Sequence, residues 1–327
     1  MRFRIQPSVF CRPVPMRAAN ERFVDLGLPR RVWAVAAIHG DKDRLMALHD
    51  HIATRFNVRD RLVYLGNYLG VGSPDNEAII EELLAFRAAL LAKPGMETTD
   101  IVHLRGPAEE SWQRLLRLQF APVPAQALEK LLAAGVEPYL RLYGVSLNDT
   151  RSFARAGSVA ITRWTNQLRL AQRLAPGHEA LMCSMRRAAV TQSSESGAQR
   201  MLFVPAGFNS SRSLEDQGDT LWFHTSSFRV SCRGASPFAR IVRGFDPNRD
   251  GVDTDDLAVT LDGGCGFGGP LVCGCFNAAG HLLEIVAVGG PSAIDAETAS
   301  DEDHSSSHAF DTSDAFRDRT SEMAVSA

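Results

Sequence analysis

Arg31-Val-Trp-Ala-Val-Ala-Ala-Ile-His39-Gly40 is an apolar run that stops at a small-residue turn carrying one histidine. Asp41 follows, and then Leu45, Leu48, Ile52 and Phe56 fall at spacings of three and four, which predicts an amphipathic helix capped by the aspartate. The design recurs at Arg61-Leu-Val-Tyr-Leu-Gly66-Asn67-Tyr68-Leu69-Gly70-Val71-Gly72, and again at Asp100-Ile-Val-His-Leu-Arg105-Gly106-Pro107-Ala108-Glu109. Three apolar strands, each ending in glycine and leading into a helix, predict an α/β sheet whose working edge is the set of strand C-termini. An enzyme of this layout keeps its polar chemistry on that edge. Here the edge carries almost none.

The rest of the chain extends this frame. Residues 1–30 are rich in Arg and Pro without a period and are expected to be a surface lead-in. Ser73-Pro74 predicts an N-cap followed by proline at the first helical position, with Ile79, Ile80, Leu83, Leu84, Leu90 and Leu91 giving that helix a wide apolar face. Glu109 is expected to open a shorter helix running to Phe120. From about 124 to 187 the pattern is helical, punctuated at Gly135, Pro138, Gly157 and Pro176, which predicts a helical insertion between two sheet-forming halves. After a Ser-rich loop at 191–198, strands are predicted at Arg200–Val204, Arg240–Val242, Leu257–Leu261, Leu271–Val272 and Leu282–Val288. The order predicts two sheets packed face to face as a β-sandwich with helices outside, spanning 31–290. Residues 291–327 are acidic and poor in large apolar side chains, and are expected to be a disordered tail.

Composition narrows the function classes. A chain of 327 residues with 45% hydrophobic and 22% charged residues reads as an ordinary globular protein. A net charge of -3 gives no reason to expect a nucleic-acid partner. No apolar run approaches the roughly 18 residues that span a membrane. The opening Met1-Arg-Phe-Arg-Ile-Gln-Pro has no secretory h-region, and six scattered cysteines suit a reducing compartment, so the expected location is the cytoplasm.

The glycine punctuation resembles the calcineurin-like metallophosphoesterases, in the bacterial branch similar to serine/threonine protein phosphatases. Ala36-Ala37-Ile38-His39-Gly40 is similar to the family's G-D-x-H-G, and Gly66-Asn67-Tyr68-Leu69-Gly70-Val71-Gly72 to its G-D-x-x-D-R-G. Arg105-Gly106-Pro107-Ala108-Glu109 stands where the family has R-G-N-H-E, and Val204-Pro205-Ala206-Gly207 where it has V-H-A-G, with Leu221-Trp222 downstream. Gly244-Phe245-Asp246-Pro247 resembles G-H-T-P, and Asp262-Gly263-Gly264-Cys265-Gly266-Phe267-Gly268-Gly269 resembles D-T-G-x-x-x-G-G. The six matches come in the family's order.

The resemblance implies a two-metal hydrolysis, with divalent ions such as manganese or iron about 4 Å apart sharing a bridging water. It also implies which side chains would hold them, and these are replaced. The first aspartate is Ala37 and the bridging aspartate is Asn67. The acid and base of the second motif are Gly70 and Val71, the amide ligand is Pro107, and the general-acid histidine is Ala108. The later histidine ligands are Pro205 and Phe245, and a second arginine is His224. His39 remains, and Arg105 keeps the phosphate-gripping position. One imidazole cannot hold a catalytic dication, which needs three or more protein ligands. The expectation is therefore a pseudophosphatase with no metal cofactor, acting by binding a protein partner or a phosphorylated ligand.

Other readings stand beside it. A divergent phosphoesterase could have rebuilt its metal site from Asp41, Asp43, Asp246 and Asp262. A regulatory subunit could use the helical insertion for its contacts. His39 reads either as a relic ligand or as a hydrogen-bonded turn histidine, and Arg105 either as an anion site or as a structural arginine. The stretch Asp246–Asp256 opens like a calcium loop but has Leu257 at the twelfth position, where a glutamate belongs, so a solvated turn is the plainer reading. Cys273 and Cys275 share a strand face, with Cys265 nearby in sequence; buried apolar packing outweighs a thiolate site. His304 and His308 lie in the acidic tail.

Overall fold

Two strands open the described chain, β1 (Phe23–Gly27) and β2 (Arg31–Val35), and β2 is buried on both faces. Val32 and Ala34 belong to one apolar cluster with Val63, Phe203, Val242 and Phe276, while Trp33 and Val35 belong to another with Leu45, Leu48 and Ile79. A strand buried on both sides reads as a continuous apolar run, which is what this stretch is. The computed structural model describes residues 22–223, 227–235 and 237–289. The expected tail at 291–327, with His304 and His308, and the site position His224 lie outside the described residues.

The remaining elements follow the βα order. Helix α1 (Lys42–Arg55), β3 (Asp60–Tyr64), α2 (Asn76–Leu91), β4 (Ile101–His103) and α3 (Pro107–Leu115) complete the three predicted units. The insertion holds α4 (Pro124–Ala133), α5 (Glu137–Leu142), α6 (Leu147–Arg155), α7 (Ser158–Leu174) and α8 (His178–Ser184). Then come β5 (Ala188–Thr191), β6 (Met201–Val204), α9 (Phe228–Ser231), β7 (Arg240–Arg243), β8 (Asp253–Thr254), β9 (Ala258–Thr260), β10 (Leu271–Asn277) and β11 (Leu282–Val288).

The strands form two sheets, ordered β11-β10-β2-β3-β4 and β1-β5-β6-β7-β9-β8. β2, β3 and β4 are parallel, as are β6, β7 and β9, so both sheets send strand C-termini toward connecting turns. The layer between the sheets is the Val32–Phe276 cluster. Helices cover the outer face of the first sheet through Trp33, Tyr64, Ile80, Trp112 and Trp164. The architecture is the expected mixed α/β sandwich flanked by helices. Among the described residues no helix is long and apolar enough to cross a membrane.

Three local expectations need correction. The lead-in does not extend to residue 30, because Phe23–Gly27 pairs in parallel with β5 and buries Leu26 completely. The helix after the second strand begins at Asn76 rather than Pro74. Ser73 does not cap it; its Oγ donates to the Gly40 carbonyl at 2.7 Å and so ties the second turn to the first. The helix predicted from Glu109 to Phe120 starts two residues earlier at Pro107 and ends at Leu115, with a separate 3₁₀ turn over Leu118–Phe120.

Candidate functional site

The turns after β2, β3 and β4 meet at one edge, held there by backbone hydrogen bonds. Ile38 and His39 both donate their N–H to the Asn67 carbonyl, at 3.0 and 2.9 Å, and Gly40 donates to Tyr68 O at 2.8 Å. This packing leaves no room for side chains at two glycines. A Cβ on Gly70 would lie 2.0 Å from the His39 carbonyl oxygen, and one on Gly66 would lie 2.4 Å from the Gly106 nitrogen. These contacts are with backbone, so glycine is required by close approach at both positions, and at Gly66 also by its φ of +97°.

Glu109 gathers the same turns from below. Its Oε2 accepts from the Asn67 and Gly106 N–H groups, both at 2.8 Å, and its Oε1 accepts from Tyr68 N–H at 3.1 Å and the Tyr139 hydroxyl at 2.5 Å. The side chain is 1% exposed, so these four donors are what make its burial tolerable. Asn67 completes the arrangement: its Oδ1 accepts from Ala108 N–H at 3.2 Å. The position that the resemblance assigns to a bridging carboxylate thus serves as an amide cap on α3.

Above these turns lies a cavity of about 520 Å³. Six of the predicted positions line it: His39, Asn67, Val71, Pro107, Ala108 and Phe245. Four others lie outside the lining. Ala37 is buried and donates its N–H to Gly244 O at 3.0 Å, and Gly70 exchanges hydrogen bonds with the Asn76 side chain. Pro205 accepts from Gly244 and Phe245 N–H. Arg105 pairs with Glu110 at 3.2 Å, while its carbonyl accepts from Trp222 Nε1 at 2.6 Å; its guanidinium is turned to a structural role.

His39 sits between two aromatic rings, edge-on to Phe245 at 5.5 Å and to Phe267 at 5.0 Å. Its Nε2 is buried and has no hydrogen-bond partner among the described residues. Burial, aided by the nearby Arg249 cation, lowers its pKa to about 4, so the ring is neutral at ordinary pH. Gly266 packs against this histidine from the glycine-rich loop after β9; a Cβ there would lie 2.5 Å from the His39 Cβ.

These residues do not fit a pair of dications. Among the described residues no carboxylate lines the cavity, and no group of three or more His, Cys, Asp or Glu side chains is placed to hold a metal ion. The acids proposed for a rebuilt site are engaged elsewhere. Asp41 caps α1 and pairs with Arg44 at 2.8 Å, and Asp43 is an exposed residue of the first turn of that helix. Asp246 pairs with Arg243 at 2.9 Å, and Asp262 accepts the N–H groups of Asp246 and Gly264. Burial pushes the Asp262 carboxyl above its ordinary value and opposes ionisation there.

The calcium-like stretch is organised by arginines. Asp246 answers Arg243, and Asp253 answers Arg229 at 2.6 Å. The three cysteines are buried in the core on the helix side of the first sheet. Burial raises the Cys265 and Cys275 thiols to about 12 and pushes the Cys273 thiol well above its ordinary value, so none offers a thiolate.

Two contributors were not foreseen from the sequence. Leu132, Ala134, Gly135 and Pro138, from the end of α4 and the start of α5, form one wall. Gly135 lies at φ +86°, with Val136 N–H bonded to Leu131 O and Gly135 N–H to Leu132 O, a Schellman ending that turns the chain over the cavity. The glycine and proline punctuation was visible; its direction was not. Arg249 was read as part of the calcium-like stretch, yet it lines the cavity with its guanidinium 3.5 Å over Phe267.

No family model matches the chain, and no curated protein matches it significantly. Among solved structures, it is similar to a "putative diadenosine tetraphosphatase" at 16% identity and TM-score 0.45, covering 82% of this chain and 98% of that one. It is also similar to a serine/threonine phosphatase from Saccharomyces cerevisiae that resembles human phosphatase PP5, at 11% identity and TM-score 0.42, covering 83% and 84%. Both scores are low, and neither likeness bears on activity or ligand.

Proposed function

We propose that this chain is a metallophosphoesterase-like pseudophosphatase, a domain that keeps the sandwich and its converging turns but binds rather than hydrolyses. The observation that supports it is the lining of the cavity: Asn67, Pro107, Ala108 and Phe245 stand where the resemblance would put metal ligands and a general acid. Catalytic dications require several anionic or imidazole donors, and one neutral histidine falls short. The glycines that shape the edge are present, and Glu109 supplies the acceptors that hold its turns together. Retained shape with replaced charge is the pattern of a fold kept for recognition. Five described cysteines are free thiols, which supports a reducing compartment such as the cytoplasm.

Elemental analysis of purified protein, paired with p-nitrophenyl phosphate hydrolysis in added manganese, tests this reading. Substoichiometric metal and background turnover are expected. Two equivalents of bound manganese with turnover well above background would overturn it.

A further inference from the structure

Three of the four non-glycine residues with positive φ among the described residues, His39, Asn67 and Arg249, line the same cavity. Left-handed backbone is unfavourable for an ordinary residue, and such strain concentrates where a ligand is held. His39, whose ring Nε2 is buried and without a hydrogen-bond partner among the described residues, is one of the lining residues. It also presents one cation with no counter-ion: Arg249 is exposed and makes no ion pair among the described residues. An unpaired guanidinium beside an apolar lining offers a charged partner to an anion and a surface to its apolar body.

We infer that this cavity binds a small apolar or aromatic carboxylate, its anionic group on Arg249 and its flat body against the apolar lining that includes Phe245, Phe267, Trp222 and Leu132. The inference rests on the pseudophosphatase reading, since it needs the cavity free of metal. The volume, about 520 Å³, suits a small organic molecule. Phe245, Phe267, Trp222 and Leu132 provide apolar and aromatic surface. The charge count separates a carboxylate from a phosphate monoester. A dianion would leave one charge uncompensated beside apolar walls, because the second arginine of this edge, Arg105, is committed to Glu110. One guanidinium matches one carboxylate.

The test is calorimetric titration of the full-length protein, after its metal content has been measured, with 2-naphthoate, its neutral isostere 2-naphthamide, and inorganic phosphate. Naphthoate is expected to bind about tenfold more tightly than the amide, the worth of one charge-assisted hydrogen-bonded pair. Arg249→Met should erase that difference, naphthoate losing about tenfold more than the amide, and Phe267→Ala should weaken both. Both residues are exposed, so neither change threatens the fold. Equal binding of naphthoate and amide, phosphate binding tighter than naphthoate, or no naphthoate binding by metal-free protein would each overturn the inference alone. Bound manganese with phosphatase turnover would instead sink the reading beneath it.

Discussion

The Tyr139 hydroxyl donates to Glu109 Oε1 at 2.5 Å, a contact that joins α5 of the helical insertion to the turns of the first sheet. Both side chains are buried, Tyr139 fully and Glu109 to 1% exposure. Removing either partner has a different consequence. Tyr139→Phe deletes one donor and leaves Glu109 with three backbone N–H groups, so the expected loss is about 1–2 kcal/mol. Glu109→Ala strands the N–H groups of Asn67, Tyr68 and Gly106 together and should lose about 3 kcal/mol or more. Urea denaturation of the two variants checks the order. Equal losses would show that the carboxylate does not organise the turns.

The glycines of the second turn differ in what they contribute, and substitution separates them. At Gly70 an added Cβ meets the His39 carbonyl at 2.0 Å, a contact with backbone that only displacement of the whole turn relieves. At Gly72 the space is open and only φ +77° resists a side chain. Gly72→Ala should therefore cost about 1 kcal/mol. Gly70→Ala should cost about 3 kcal/mol or more, as overpacked sites with no route to relax do. Denaturation midpoints of the paired variants decide it; a Gly70→Ala protein as stable as Gly72→Ala would mean that the turns are not in close contact.

Much of this architecture was legible because burial on both sheet faces forces long apolar runs, and Val32 to Ile38 is such a run. The turn positions were legible for the same reason that Gly70 and Gly66 cannot change. Strands β1 and β5 escaped notice because each is only a few residues long, and β1 gains its place from pairing with β5. No local signal specifies a partner that lies 160 or more residues away. The cavity was half legible. The uncharged lining residues Asn67, Pro107 and Ala108 can be read one by one, but the wall from α4 and α5 depends on how an insertion folds back. Arg249 was misplaced because Asp246-Pro-Asn-Arg-Asp250 looks like a cation loop until Arg243 is seen to answer Asp246.

The thiols carry a simple prediction. Cys183 is exposed, while Cys232, Cys265, Cys273 and Cys275 are buried. Burial raises the Cys232, Cys265 and Cys275 thiols to about 12, leaving almost no thiolate near neutrality, and thiolate is the reactive form. Iodoacetamide labelling of native protein, read by peptide mass spectrometry, should mark Cys183 first among these five. The other four should react only as the protein unfolds. Native labelling of Cys273 or Cys275 at the rate of Cys183 would contradict the packing of β10.

His39 gives stability a dependence on pH whose sign follows from its surroundings. Burial and the Arg249 cation lower its folded pKa to about 4, whereas an unfolded histidine titrates near 6.5. Between those values the unfolded chain takes up the proton and the folded chain does not, so protonation favours unfolding. The stability linked to His39 is therefore complete above about pH 6.5 and is lost as pH falls toward 4. From about pH 7 to pH 5 the loss from this group should be about 2 kcal/mol. Buried His103, lowered to about 3, acts in the same direction, so the comparison needs a variant. His39→Asn suits the left-handed backbone at φ +49° and removes the titrating group. Urea unfolding of both proteins at the two pH values should show a drop about 2 kcal/mol smaller in the variant. An identical drop would place His39 in contact with solvent rather than between Phe245 and Phe267.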